Sequence, residues 1–318
     1  MVRPDWYEEL QKEVSKVIIG QEEILEQMMI ALLSKGHALL IGPPGMAKTT
    51  LVHSFAQCLN LPFGRIQFTP DLMPSDILGT EILQENRSTG QRELIFVKGP
   101  VFTQILLADE INRTPPKTQA ALLQAMQEKT VTLFGRTETL DNPFMVLATQ
   151  NPIEQEGTYP LPEAQLDRFL LALHLKYPAF EEEVAIVKRH SGNFDSLLKP
   201  ILSADQVRTF QGKILSMTAP DHVYEKAVKL VRATRPQADN PVAEAVKYVK
   251  WGASPRAAQF LLLAAKARAF LHGRPVPVEE DLKALFHPAM NHRVQLNFQA
   301  EADGVEIDSI LETILKKV

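Results

Sequence analysis

The sequence predicts an α/β fold: a parallel five-stranded sheet covered by helices, followed by an all-helical domain. Three observations carry that prediction. The apolar run Ala38-Leu39-Leu40-Ile41 passes through a Gly/Pro-rich loop into a helix-like stretch from Thr50 to Ala56. Further apolar runs follow, separated by helix or turn chemistry, and continuous runs of this kind suit strands buried on both faces. Beyond Tyr177-Pro178 the apolar spacing becomes helical, with few strand signals before Arg293. A boundary near 180–200 is therefore expected, with an α/β domain over 1–180 and a linker and helical domain over 181–318.

Taken in order, residues 5–35 read as two amphipathic helices flanking Val17-Ile18-Ile19-Gly20-Gln21. After the first strand, its loop and its helix, Gly64–Thr69 reads as a second strand. Polar and apolar residues then alternate from Gly79 to Val97 around Asn86-Arg87-Ser88-Thr89-Gly90, which is hairpin chemistry. A third strand, Gln104–Ala108, ends in Asp109-Glu110. Thr114 before Pro115-Pro116 predicts a helix start with a hydroxyl cap, since the first N–H groups of a helix have no partner and prolines cost nothing there. A second hairpin is expected over Thr130–Leu140, with Phe134 near its tip either gripping a substrate or packing inward. Strand Phe144–Thr149 leads to Gln150-Asn151-Pro152, and a last strand spans Phe169–Leu175. Helices are then predicted over 181–190, 203–217, 221–234, 242–250, 255–272 and 278–287. Ser203 to Gln206 forms a capping box and Gly273 a C-cap.

With 318 residues, 45% of them hydrophobic, the chain can fill a sizeable core and divide into two domains. Its formal net charge is −4 and no Lys/Arg run exceeds two residues, which argues against a broad nucleic-acid footprint or an anionic-membrane patch. Cys58 is the single cysteine, so no internal disulfide or cysteine-based zinc site can form. The N-terminus lacks the apolar segment of a signal peptide and no apolar run approaches membrane-spanning length. The expectation is cytoplasmic residence without membrane insertion.

The chemistry concentrates at Gly42-Pro43-Pro44-Gly45-Met46-Ala47-Lys48-Thr49. A strand, a Gly/Pro-rich loop and a helix in that order can aim backbone N–H groups and a positive helix end at one spot, as a phosphate requires. Lys48 would add a full charge at the terminal phosphates and the Thr49 hydroxyl would ligate Mg²⁺. Ala47 stands where this pattern usually has its second glycine; alanine is the next smallest side chain, so the loop can still form if the local φ is negative. The alternative is an ordinary strand-to-helix turn. Asp109-Glu110, at the end of a hydrophobic strand, would hold Mg²⁺ through Asp109 and polarise an attacking water through Glu110. A solvated turn is the alternative, weakened by the phosphate loop about sixty residues upstream. Ile18-Ile19-Gly20 could wall an adenine ring or form a plain interhelix turn.

The chain resembles the AAA+ ATPases, and within them the MoxR group. The resemblance rests on Ile18–Gln21, Gly42–Thr49, Leu106–Arg113, Ala148–Pro152, Leu161–Phe169 and Gly252–Arg256, in that order along nearly the whole chain. It implies an AAA+ domain of the P-loop class with an all-helical lid, in which Gly42, Pro43, Pro44, Gly45, Met46, Ala47, Lys48, Thr49 and Thr50 cradle ATP. Ile18, Ile19 and Gly20 would line the adenine site, and Thr49 and Asp109 would hold Mg²⁺. Around Glu110, Asn151 would act as sensor 1, where its bare sequence setting reads as a strand-ending turn. Arg168 would be an arginine finger reaching a neighbouring subunit, or else a surface partner of Asp167 or Glu163. Arg256, behind a Ser254 cap and Pro255, would be sensor 2, or else an exposed arginine at a helix start. The hairpins match insertions that would face the pore of a ring, or else are surface hairpins. By resemblance the protein is expected to form a homo-oligomer, a hexameric ring, that hydrolyses ATP. It would remodel or mature protein complexes, including metal-cofactor insertion, with a von Willebrand factor A domain protein as partner. A DNA helicase-like or magnesium-chelatase-like motor and a non-hydrolysing nucleotide switch are the rival expectations.

Overall fold

The computed structural model describes residues 3–85, 92–151, 157–189, 198–239 and 241–318. Helices α1 (Asp5–Val14) and α2 (Glu22–Leu33) open the chain. They are followed by β1 (Ala38–Ile41), α3 (Lys48–Cys58), β2 (Phe63–Gln67), α4 (Pro74–Leu78), β3 (Gly79–Glu85), β4 (Arg92–Lys98) and β5 (Ile105–Asp109). Next come α5 (Pro116–Glu128), β6 (Thr130–Leu133), β7 (Arg136–Thr139), β8 (Met145–Gln150), α6 (Glu163–Leu166) and β9 (Leu171–His174). The remainder is α7 (Phe180–Arg189), α8 (Ala204–Ser216), α9 (Asp221–Ala233), α10 (Ala243–Tyr248), β10 (Val249–Trp251), α11 (Pro255–Leu271), α12 (Glu279–Met290), β11 (Gln295–Leu296), α13 (Phe298–Ala302) and α14 (Ile307–Lys317).

The predicted parallel five-stranded sheet is present, in the order β2-β5-β8-β1-β9. Because successive strand residues face opposite ways, its central strands divide their side chains between two cores. Ala38, Leu40, Ile105, Leu107, Met145 and Leu147 join α2, α3 and the helices after α7 in one cluster. Leu39, Leu106, Ala108, Val146 and Ala148 join α5 in the other. The first cluster runs without a break from the sheet into the helical part, where Trp6 stacks on Phe210 at 5.0 Å and Gln211 Nε2 donates to Leu32 O at 2.7 Å. The helical part therefore shares a core with the sheet. Its local signals act as expected: Ser203 and Gln206 cap α8 reciprocally, and Gly273, at φ +66, ends α11.

Two local expectations fail. Thr114 does not cap α5, since Pro115 takes the N-cap position and the extended Thr114 lies one residue too early, its hydroxyl buried without a hydrogen-bond partner. The helix expected over 242–250 stops at Tyr248, because Val249–Trp251 pairs antiparallel with Gln295–Leu296, and a ladder bond claims the backbone that a further helical turn would use.

Two antiparallel pairs project from the sheet's frame. β3 and β4 pair from Gly79↔Lys98 to Glu85↔Arg92, with Leu83 and Leu94 exposed; the tip expected at Asn86–Gly90 lies outside the described residues. β6 and β7 are joined by Phe134 and Gly135, both at positive φ, the chemistry of a tight hairpin turn. Phe134 is 62% exposed, so it points outward and does not pack.

Candidate active site

β1 lies between β8 and β9, so the loop that leaves its end emerges from the middle of the sheet, beside the ends of β5 and β8. Gly42 is pressed against β9's end: an added Cβ would meet Leu175 at 3.0 Å. Gly45 faces open space and is needed for its backbone, at φ +83. Ala47 corrects the sequence reading. It sits at φ +52, ψ +29, in the left-handed region, so the loop forms without the negative φ that the sequence reading makes its condition. The cause is its place at the N-cap of α3: its carbonyl accepts from Leu51 N at 2.9 Å, and the loop must turn sharply to deliver that carbonyl. A non-glycine residue so held stores about 1–2 kcal/mol.

The cleft above this loop has a volume of about 390 Å³. Pro44 to Thr50 form one wall; Asp109, Glu110, Thr149 and Asn151 form the other. Lys48 folds back over the loop and donates to Gly42 O at 2.5 Å. Burial holds its ammonium below the usual lysine range, while the charges of Asp109 and Glu110 pull the other way. Thr49 shares the cleft with Asp109, and oxygen donors of this type suit a hard cation such as Mg²⁺.

The acidic pair is held from both sides. Glu110 is itself left-handed, at φ +57, and its N–H donates to Thr149 Oγ1 at 2.8 Å. The same Thr149 hydroxyl donates to Asp109 Oδ1 at 2.7 Å, so one side chain of β8 pins both acids. From the other flank, Arg65 donates to Asp109 Oδ2 through Nη2 at 2.6 Å and Nε at 3.2 Å, and to Gln67 Oε1 at 2.6 Å. Gln67 Nε2 donates to Glu110 Oε2 at 2.7 Å, where Arg113 Nη1 also donates at 3.0 Å. Asn151, just past β8, is buried at the cleft wall.

Sequence reasoning misses Thr149, Arg65 and Gln67. The available signal was strand register. Ala108 pairs with Ala148, so Thr149 falls opposite Asp109, and Gln67 pairs with Asp109 on the other neighbour. Residues at the ends of adjacent parallel strands share the crevice.

The other expected residues lie away from this cleft's walls. Ile18 packs against the core, and Gly20, at φ +75, sits under the Glu182 carboxylate, which a Cβ would strike. Arg168 follows α6, half-buried, and makes no ion pair among the described residues; neither Asp167 nor Glu163 takes it. Arg256, exposed in the first turn of α11, has Nη1 4.0 Å from Asp167 Oδ2. Ser254 does not cap α11 through its side chain, which donates instead to Asp167 Oδ2 at 3.1 Å. Among the described residues no helix is long and apolar enough to cross a membrane.

Comparison with known proteins places this geometry in a lineage. Residues 37–171 match the ATPase family associated with various cellular activities (AAA), and residues 243–314 match the AAA lid domain. The chain is 42% identical to Chaperone MoxR1 of Mycobacterium tuberculosis over 306 residues, covering 96% of this chain and 80% of that one. It is 30% identical to Protein MoxR of Paracoccus denitrificans over 314 residues, covering 92% and 90%. A crystal structure of a candidate ATPase from Cytophaga hutchinsonii superposes with a TM-score of 0.91 at 45% identity, covering 99% of this chain and 94% of that one.

Proposed function

The chain belongs to the MoxR-type AAA+ ATPases, and from that premise we propose that it hydrolyses ATP in a homo-oligomeric ring to remodel or mature protein complexes. The observation that carries the proposal is the cleft itself: Lys48 and Thr49 from one segment face Asp109, Glu110 and Asn151 from two others, with both acids pinned by Thr149. Residues 1–180 would be the nucleotide-binding unit and 181–318 the linker and lid.

In this mechanism the loop N–H groups and the start of α3 receive the phosphates. Lys48, half-buried and bonded among the described residues to the Gly42 carbonyl, turns from that carbonyl to the β- and γ-phosphates. Thr49 and Asp109 would hold Mg²⁺, which when bound neutralises phosphate charge. Glu110 orients water for attack on the γ-phosphorus and accepts its proton, while the bond to the β-phosphate oxygen breaks to leave ADP and inorganic phosphate. Glu110 Oε2 is already engaged by Gln67 and Arg113, which fixes the carboxylate's orientation. Asn151 steadies the water or γ-phosphate, Arg256 engages the phosphates from the lid, and Arg168 stabilises transferred charge in the neighbour's site. Trans arginines of this kind contribute roughly 10³–10⁵ in rate. Chaperone-like action is supported by the name of the mycobacterial relative. A hexamer, a von Willebrand factor A domain partner and metal-cofactor insertion complete the reading.

The test is ATP turnover against protein concentration for wild type, Glu110→Gln, and Arg168→Ala mixed with Lys48→Ala. Turnover rising cooperatively with concentration, lost in each variant and partly regained in the mixture, is the expected result. Unchanged turnover in Glu110→Gln would remove the base. DNA-stimulated, salt-sensitive turnover would favour the motor of helicase type.

A further inference from the structure

The contact between the helical part and the segment that carries Arg168 is unusually complete. Arg293, three residues past α12, is buried, its side chain 1% exposed. A buried guanidinium is stable only when its charge and all its N–H donors are matched. Here all five are. Nε donates to Asp167 Oδ1 at 2.8 Å; Nη1 to Leu170 O at 3.2 Å and to Ala289 O; Nη2 to Phe169 O at 2.5 Å and Asp167 O at 3.3 Å. The neighbouring His292 Nε2 also reaches Phe169 O, at 3.0 Å. These contacts grip residues 167, 169 and 170 and skip one. Arg168 sits inside the clamp with its guanidinium unpaired among the described residues.

The same Asp167 carboxylate has a second face. Its Oδ2 accepts from Ser254 at 3.1 Å and lies 4.0 Å from Arg256 Nη1. One carboxylate thus joins a fixed arginine, Arg293, to an exposed arginine, Arg256, directly before Arg168 in the chain.

We propose that Asp167 is a positioning residue that acts in trans: gripped by Arg293 through one oxygen and facing Arg256 with the other, it presents Arg168 and Arg256 together to the nucleotide of the neighbouring subunit. When a phosphate in the neighbour's site draws Arg256 away, the Asp167 carboxylate loses its second cation, and the turn before Arg168 is held by Arg293 and Ser254 alone. The reach of Arg168 into the next site then depends on whether that site is filled. This inference rests on the reading of Arg168 and Arg256 given above.

The variant to use is Asp167→Asn. Arg293→Ala would strip five carbonyl and carboxylate acceptors of their donor inside a core and could unfold the chain, whereas asparagine keeps the shape and an acceptor for Nε. Four quantities are measured: melting temperature, ATP affinity, turnover against ATP concentration, and turnover after mixing with Lys48→Ala. A Lys48→Ala subunit cannot use its own site but offers an intact Asp167–Arg168 segment to its neighbour. Expected for Asp167→Asn are a melting temperature lowered by the loss of Arg293's counter-charge in a chain still folded at the assay temperature, ATP affinity within about twofold, turnover lower by about tenfold or more, and a Hill coefficient falling toward one. Mixing with Lys48→Ala should restore turnover, as it does for Arg168→Ala. Rescue of Arg168→Ala without rescue of Asp167→Asn would overturn the inference and leave the shared-site reading standing, because the defect would then lie within the subunit's own site. Wild-type turnover and cooperativity in Asp167→Asn would overturn it too. Failure to rescue Arg168→Ala would remove the shared-site reading, and the inference with it.

Discussion

Asp281 and Asp109 are both gripped by arginines, and the contrast between them separates a site from a strut. Asp281, at the start of α12, is wholly buried. It accepts from Arg268 at 2.7 Å, from Arg274 at 2.6 Å and from Val278 N at 2.9 Å, and these hydrogen bonds hold its carboxyl below the usual range against the burial that would raise it. The carboxylate is closed off from solvent by the groups it bonds. Asp109 also has an arginine, but Arg65 is 45% exposed and the carboxylate opens on a cleft. Its chain neighbour Glu110 is left-handed, which Asp281 and its flanking residues are not. A saturated ion cluster on relaxed backbone stabilises a fold; an open one beside strained backbone is arranged for a ligand.

The sharpest way to break that comparison is to remove the closed acid. Asp281→Ala leaves two arginines facing each other beside a buried void, and should destabilise the protein by about 3–5 kcal/mol, the range for stripping one partner from a buried pair. Denaturant unfolding would read this directly. Glu110→Gln, by contrast, should leave the midpoint where it was and remove turnover. If both variants lost stability equally, the distinction between strut and site would fail.

The same contrast explains what was legible beforehand. The sheet, the phosphate loop and the helical part could be read because each is local: an apolar run, a loop with glycines, a 3.6-residue period. The acids at 109 and 110 could be read because they end such a run. Thr149, Arg65 and Gln67 could not, since nothing in their own neighbourhoods marks them, and their role exists only once β2, β5 and β8 lie in register. Arg293 is invisible for the same reason, being 126 residues from Asp167 along the chain. Ala47 was misread for a different one: alanine's preference for negative φ is a property of the residue, and the loop's closure overrides it.

A smaller effect should come from His37, which stands at the foot of β1, under the sheet. Its Nδ1 accepts from Val146 N at 2.9 Å and its Nε2 faces Met126 O at 3.3 Å, so the neutral ring satisfies both neighbours. Burial lowers its pKa from 6.5 to about 4, with the Met126 carbonyl opposing and Lys129 assisting. The unfolded chain therefore binds this proton more readily. The contribution is complete above pH 6.5 and is lost as pH falls toward 4, a difference of about 3 kcal/mol. His37→Gln keeps a donor and an acceptor but cannot titrate. Its unfolding free energy should fall less steeply between pH 7 and 4 than the wild-type value does. Parallel curves would show that His37 is not the group responsible.

The smallest expected effect is the most direct probe of the strained side of the comparison. At Ala47 two terms oppose each other. Glycine would relieve about 1–2 kcal/mol of left-handed strain, and would cost about 0.4–1 kcal/mol through the freedom it adds to the unfolded chain. The alanine side chain is exposed at the cleft wall, so its loss removes little burial. Strain relief wins, and Ala47→Gly should stabilise the protein by about 0.5–1 kcal/mol, or about 1–3 °C in melting temperature for a chain of this size. The same substitution in a right-handed helical position would destabilise by a similar amount, so the sign of the change reports the backbone conformation. A lower melting temperature in Ala47→Gly would mean that residue 47 is not left-handed in solution, and that the strain assigned to the phosphate loop is absent.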